Sequence, residues 1–219
     1  MPRQPRSVFA NIPHHITQRG NRKGDVFFSD KDKDYYLTLL QEYTTKHNVE
    51  ILAYCLMTNH IHLILKPTDE NGLQKALKPL HMRYSQYINK QQNTTGVLWQ
   101  GRFFSSPLDE QYTYYAFAYV ENNPVEANMV ESAIDYQYSS ARHHVGQVDN
   151  ELIADYDIGV SQYKYQAYLQ SMLKQQHSKR LKTNTHKGLP CGNDDFIAML
   201  SKKIGRDLRF KSVGRPKKG

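Results

Sequence analysis

Apolar and polar residues change rhythm along this chain often enough to divide it into elements. Residues 8–18 alternate weakly, as a strand with one buried face does, and the glycines and bases of "QRGNRKGD" close them off as a loop. "SDKDKDYYLTLLQEYTTKHN" offers Ser29 and Asp30 as helix caps and then sets Tyr36, Leu37, Leu40 and Tyr43 at helical spacing. "VEILAYCLM" and "HIHLILKP" are apolar runs of strand length on either side of a Thr-Asn turn, which predicts a hairpin. "NGLQKALKPLHMRYSQYINKQ" carries an apolar helical stripe of Leu73, Ala76, Leu77, Leu80, Tyr84, Tyr87 and Ile88, and Pro79 inside it predicts a kink or a restart. "WQGRFFSSPL" predicts a further strand, and "DEQYTYYAFAYVEN" a third helix that Pro124 ends.

The order β-α-β-β-α-β-α opens with the six elements of the ferredoxin-like pattern, an α+β fold. An antiparallel sheet then has the first two helices on one face and the third, tyrosine-rich helix over the other. That fold hosts many activities and names none. Beyond about residue 145 the pattern weakens. "SQYKYQAYLQSMLKQQHSKR" reads as helical and "LKTNTHKGLPCGN" as a linker. "DDFIAMLSKKIG" reads as a short amphipathic helix with Asp194 and Asp195 at its start and Gly205 at its end. The expected division is a domain at 1–145, a helical extension at 146–182, and a linker, helix and basic tail at 183–219.

Composition narrows the function classes. Hydrophobic residues make up 39% of the 219, enough for an ordinary core, and no run approaches the length of a membrane-spanning helix. The first residues are basic but lack an apolar h-region, and the only two cysteines, Cys55 and Cys191, make no disulfide framework. A reducing, cytoplasmic setting with no membrane partner is the expectation. The net charge of +8 is concentrated at the ends: residues 1–24 carry +5, residues 202–219 carry +7, and the middle is net −4. Basic ends on a mildly acidic body suit contact with a polyanion.

The candidate chemistry lies in "TNHIHLIL". On a strand His60, His62 and Ile64 share one face, and Ile61, Leu63 and Leu65 share the other. The aliphatic face suits the helices, which leaves two imidazoles side by side on the second face, near enough to share a metal ion. A bare His-x-His is more often a hydrogen-bonded pair on a sheet, and two histidines need a third ligand. The third helix offers one. Tyr112, Tyr115 and Tyr119 lie on one of its faces, and Asn123 follows Tyr119 by four residues. Tyrosines at such spacing also serve as core, which is the simpler reading for Tyr112 and Tyr115.

Together these segments resemble a family. "HIHLIL" is similar to the His-hydrophobe-His motif of the HUH single-strand endonucleases and transposases, and "YVENNPVEANMV" to the tyrosine helix of their single-tyrosine branch. "HHITQRGNRKGDVFF", "AYCLMTNHIHLIL", "LWQGRFFSSPLDEQY" and "GLPCGNDDFIAML" resemble segments of the REP-associated tyrosine transposases. The resemblance makes 1–145 the catalytic domain and implies metal-dependent nicking and strand transfer on single-stranded DNA. Tyr119 is then the nucleophile, forming a 5′-phosphotyrosine link and freeing a 3′-hydroxyl. His60, His62 and Asn123 are the ligands of one divalent metal, Mg²⁺ or Mn²⁺, although two imidazoles also suit zinc. A phenol near pKa ~10 is a poor nucleophile at neutral pH, so metal assistance fits the chemistry. Relatives commonly carry Asn-Pro-Val-Arg-Ala-Gly where this chain has "NPVEAN". Glu126 therefore inverts a charge near the site, and Asn128 replaces a glycine at a place where Asn tolerates left-handed backbone.

The resemblance also implies a substrate, a DNA hairpin with a short guide sequence at its foot, and a monomer rather than the tyrosine-exchanging dimer of insertion-sequence relatives. Candidate DNA contacts are Arg19, Arg22 and Lys23 in the first loop, Arg83 on the second helix, Arg102 in "WQGRF", and Arg215 in the tail "GRPKK", which resembles a minor-groove hook. Trp99 reads as core. A non-catalytic hairpin-binding protein on the same fold is the competing reading, and a structural zinc module a more distant one.

Overall fold

The structure, a computed structural model, describes residues 7–173 and 177–210. The tail with Arg215, and Arg3 and Arg6, lie outside the described residues. Four strands, β1 (His14–Arg19), β2 (Val49–Met57), β3 (His60–Pro67) and β4 (Phe104–Pro107), form one sheet in the order β2-β3-β1-β4 with every pair antiparallel. Helices α1 (Asp30–Lys46) and α2 (Gly72–Gln91) alternate with the strands. This is the expected ferredoxin-like arrangement. The hairpin turns at Thr58-Asn59 between β2 and β3 as the apolar runs imply.

One face of the sheet is aliphatic. Ile16 pairs with Leu63 across β1 and β3, and both are fully buried under α1 and α2 with Leu40, Leu77 and Leu80. Ser29 caps α1 through a reciprocal box with Asp32, whose carboxylate also accepts from the Phe28 amide. Trp99 is buried beside His81, Tyr36 and Tyr84, so it is core, as expected.

The other face is roofed by two helices. α3 (Glu110–Glu121), capped by the Asp109 carboxylate, packs against β2 and β3. A single turn, α4 (Asn123–Glu126), follows it. The short helix α5 (Ala141–His144) and the longer α6 (Gln162–Ser171) support α3 from outside, and α7 (His177–Lys187) lies over β1 and β4 in contact with α3. α6 reaches into α3 itself. The Tyr168 hydroxyl donates to the Tyr114 carbonyl and accepts from the Ala118 amide, so it stands inside one rung of the helical ladder. The final helix, α8 (Asp194–Ile204), ends on Gly205 in left-handed conformation and closes a small second core with Phe9 and Leu208.

Four sequence expectations are corrected. β1 begins at His14 rather than near residue 8, because Asn11 turns the chain at φ 60° and Phe9 is drawn into the α8 core. α2 runs without interruption through Pro79, which sits on a half-exposed position next to exposed Lys75 and Lys78, where a carbonyl left without its helix partner can meet water. β4 shrinks to four residues, since Trp99 and Phe103 leave the sheet for the core under α2. The stretch from 181 onward is not a linker at its start. It is helical to Lys187, anchored by Leu181, Asn184 and Thr185, and Cys191 then bridges to Leu108 beside β4. Its anchors are mostly polar, so no apolar period announced them.

Glu121, wholly buried at the end of α3, ties that helix to the following segment by accepting from Ser140 Oγ at 2.5 Å and His144 Nδ1 at 2.6 Å. Replacing it takes the closest acceptor from the buried Ser140 hydroxyl and from the half-buried His144 ring. Glu121→Ala is expected to cost ~3 kcal/mol, read as a lower urea midpoint with an unchanged slope.

Candidate active site

The register of β1 and β3 builds the floor of a pocket. His15 stands opposite Ile64, Thr17 opposite His62, and Arg19 opposite His60, all on the face away from α1 and α2. Over them lies a cavity of about 300 Å³ lined by His15, Arg19, His60, His62, Tyr119 and Asn123, with Glu126 from α4 and Lys182, Thr185 and His186 from α7. The structure therefore brings together the nucleophile candidate, all three ligand candidates and one of the candidate DNA contacts.

Tyr119 stands edge-on to two imidazoles, with ring centroids 5.4 Å from His62 and 5.5 Å from His15. His60 and His62 are perpendicular neighbours at 5.0 Å. α3 stops at Glu121, and Asn123 opens the next turn. Its side-chain amide donates back to the Tyr119 carbonyl at 2.6 Å, which holds the tyrosine and the asparagine to the same turn of chain. Asn128 closes that turn with φ 55°, the left-handed backbone its identity suggested.

The donor atoms suit a hard-to-borderline divalent metal. His60 Nδ1 donates to Asn59 Oδ1 at 2.7 Å, an amide oriented by its own bond to the Lys23 carbonyl, and this leaves the Nε2 lone pair available to a ligand. His62 Nδ1 is engaged with His15 Nε2 at 2.9 Å, which again leaves Nε2. Asn123 uses its amide nitrogen internally, which leaves its carbonyl oxygen. Among the described residues no three His, Cys, Asp or Glu side chains are grouped to hold a metal, so a site here must draw its third protein ligand from an amide such as Asn123.

Other candidates are dispersed. Arg19 lines the pocket, and its Nε is buried without a hydrogen-bond partner among the described residues. Arg22 and Lys23 are exposed in a turn with left-handed backbone. Arg102 faces a separate groove of about 570 Å³ between α2 and the 96–103 loop. Arg83 pairs with Glu42 at 2.9 Å and bridges α2 to α1 rather than entering the pocket. A larger cleft, about 990 Å³, lies elsewhere and carries Asp109, Glu110, Asp157 and Asp195, a lining that repels a polyanion. Sequence reasoning missed His15, Lys182, Thr185 and His186. His15 was findable, since it alternates with Thr17 and Arg19 on one strand face. The α7 residues carried no signal without the fold.

The family model "Transposase IS200 like" matches residues 8–123, from the start of the sheet to Asn123. The chain belongs to this family. Among solved structures, this IS200-like transposase is similar to a REP-associated tyrosine transposase bound to a REP hairpin, at 16% identity over 73% of this chain and 94% of that one, with a TM-score of 0.56. It is also similar to a candidate transposase from Deinococcus radiodurans R1, at 20% identity over 55% and 97% of the two chains, with a TM-score of 0.39. No curated protein matches the chain. At such identity the first likeness shows a shared fold. No helix of the described residues is long and apolar enough to cross a membrane.

Electrostatically the pocket of this transposase favours neutral rings. Burial lowers His60 to about 4, with the nearby Arg19 and Lys182 charges adding to the effect, and holds His62 well below the ordinary imidazole range. Burial also lowers His15 to about 3 and His14, at the start of the same strand, to about 4. Burial raises the Tyr119 phenol well above its ordinary range, and the Glu126 carboxylate adds to that rise. At pH 5 the unfolded chain protonates His14 and His15 while the folded chain does not. Stability therefore falls as pH drops from about 6.5 towards 4, by about 2 kcal/mol for each of the two at pH 5. Urea unfolding at pH 7.5 and pH 5 is expected to show that loss, and His14→Gln should reduce the pH dependence.

Proposed function

We propose that this transposase nicks and rejoins single-stranded DNA at hairpin-forming repeats through a 5′-phosphotyrosine intermediate on Tyr119. The observation that carries the reading is the meeting, in one pocket of one chain, of the Tyr119 ring with two imidazoles whose Nε2 atoms are uncommitted and with Asn123 one turn further on. His60, His62 and Asn123 would hold a divalent ion, Mg²⁺ or Mn²⁺. Such an ion, when bound, withdraws charge from the scissile phosphate.

The chain's own groups do the rest. The sheet fixes the imidazoles, and the Asn123-to-Tyr119 hydrogen bond fixes the phenol's turn of helix against them. Tyr119 Oη attacks phosphorus and the 3′-oxygen leaves. The phenolic proton passes to water in the pocket, and the departing oxygen takes one up. Phenolate is a good leaving group in its turn, so the link stays reversible and a 3′-hydroxyl can displace it. Arg19, with a buried and unpartnered Nε beside His60, is suited to a phosphate oxygen. The hairpin held by the structurally similar REP-associated transposase supports a hairpin substrate here. A site complete within one chain supports a monomer.

Incubation of the protein with labelled single-stranded hairpins from DNA flanking its gene, with Mn²⁺ or with EDTA, followed by a denaturing gel, is expected to give a metal-dependent covalent adduct. Tyr119→Phe should abolish the adduct while hairpin binding persists. An adduct that survives in Tyr119→Phe would move the nucleophile to another tyrosine, and binding without any adduct would favour the non-catalytic hairpin-binding reading. The Glu126 charge makes a second prediction. Glu126→Gln removes an anion beside the phenol and should speed adduct formation about threefold or more at pH 8, since a full pKa unit is a tenfold change in phenolate. An unchanged rate would show that Glu126 does not act on the nucleophile.

A further inference from the structure

A chain of hydrogen bonds runs from α7, outside the segment that the family model matches, to Nδ1 of His62. Thr185 Oγ1 lies 2.8 Å from the Leu181 carbonyl and 2.7 Å from His15 Nδ1. His15 Nε2 lies 2.9 Å from His62 Nδ1, with the two ring planes within 9° of parallel and the centroids 5.2 Å apart, which suits an end-to-end N–H to N bond. Thr185, Leu181 and His15 are all at most 1% exposed and His62 is 5% exposed, so no solvent competes for these bonds.

The direction of each bond follows from its chemistry. A carbonyl oxygen only accepts, so the single hydroxyl proton of Thr185 goes to Leu181. The Thr185 oxygen then has only lone pairs for His15, and His15 must donate from Nδ1. A neutral imidazole with its proton on Nδ1 has a lone pair on Nε2, so His62 must donate its own Nδ1 proton to it. The proton of His62 is thereby placed on Nδ1, and its Nε2, the atom turned to the pocket, carries a lone pair. Reversing any one bond would set two lone pairs or two protons against each other in a dry interior.

We propose that Thr185 and His15 are positioning residues that fix the tautomer of His62, so that helix α7 sets the metal-binding competence of the sheet. The proposal rests on the reading of His62 as a metal ligand through Nε2. Its reach differs from the His60 arrangement, where the neighbouring Asn59 does the same task locally. His62 instead depends on a residue 123 positions later in the chain, through a strand that is not its own.

The test uses the full-length, metal-free protein labelled with ¹⁵N-histidine, with signals assigned by single histidine substitutions. Long-range ¹⁵N–¹H spectra at pH 7.5 are expected to show both His15 and His62 protonated on Nδ1. In Thr185→Val, which keeps the shape and removes the acceptor, His15 should shift its proton to Nε2 and His62 to Nε2 in turn. Mn²⁺ affinity, measured by titration with electron paramagnetic resonance, should then fall about ten- to a hundredfold. Thr185→Ser, which restores the hydroxyl, should return both the spectrum and the affinity. A wild-type His62 found protonated on Nε2 overturns the relay, as does a Thr185→Val protein that is folded, binds Mn²⁺ as wild type and keeps both tautomers. A wild-type protein that shows the expected tautomers but binds no Mn²⁺ refutes the metal reading itself, and with it the service that the relay is proposed to perform.

Discussion

The hydrogen bond between His15 and His62 is the constraint around which the rest is arranged. It joins the two central strands through their side chains, and it places two polar rings on a sheet face that must also be covered. Buried imidazoles left without partners would cost several kcal/mol, so the covering elements have to bring polar atoms to defined places. α7 brings the Thr185 hydroxyl, and α3 brings the edge of the Tyr119 ring. Neither helix could be replaced by an apolar one of the same shape. The gap where the two helices meet is the pocket, so the need to roof the sheet and the need to keep a site open are met by the same junction.

Much of the fold was legible because hydrophobic period and turn chemistry agree along the first 120 residues. The hairpin of β2 and β3, the capped start of α1 and the stripe of α2 each announce themselves. The site was legible only where a motif made it so. His60, His62, Tyr119 and Asn123 share a recognisable spacing, whereas His15 becomes meaningful only once β1 is placed beside β3 in a definite register. α7 was read as linker from residue 181 onward because Leu181 is nearly the only aliphatic anchor there, and polar anchors such as Asn184 and Thr185 have no period to detect. Proline misled in α2, since Pro79 sits where the lost hydrogen bond falls on the wet side. Arg83 was plausible by charge alone, and its pairing with Glu42 depends on two helices the sequence does not align.

Charge is distributed to guide rather than to hold. Arg19 and Lys182 line the pocket, while the cleft of about 990 Å³ is ringed by carboxylates. A polyanion approaching this surface meets attraction at the small cavity and repulsion at the large one, so volume is a poor guide to where the substrate goes. Glu126 works against this pattern in the pocket lining itself, an acid beside Tyr119 that adds to the rise of its phenol pKa.

The Thr185 contact spans 170 residues of sequence to His15, whereas His15 and His62 are 47 apart. Contacts of such separation close late, because the intervening chain must first be made and ordered. On the ribosome the floor of the site is synthesised first, the tyrosine next, and the last acceptor only after a lag on the order of several seconds at ~5–20 residues per second. A nascent chain therefore carries Tyr119 before it carries the α7 part of the pocket's roof. This side of the sheet is thus kept incomplete for most of synthesis, and a product truncated before α7 retains the sheet and Tyr119 without the Thr185 hydroxyl that His15 meets.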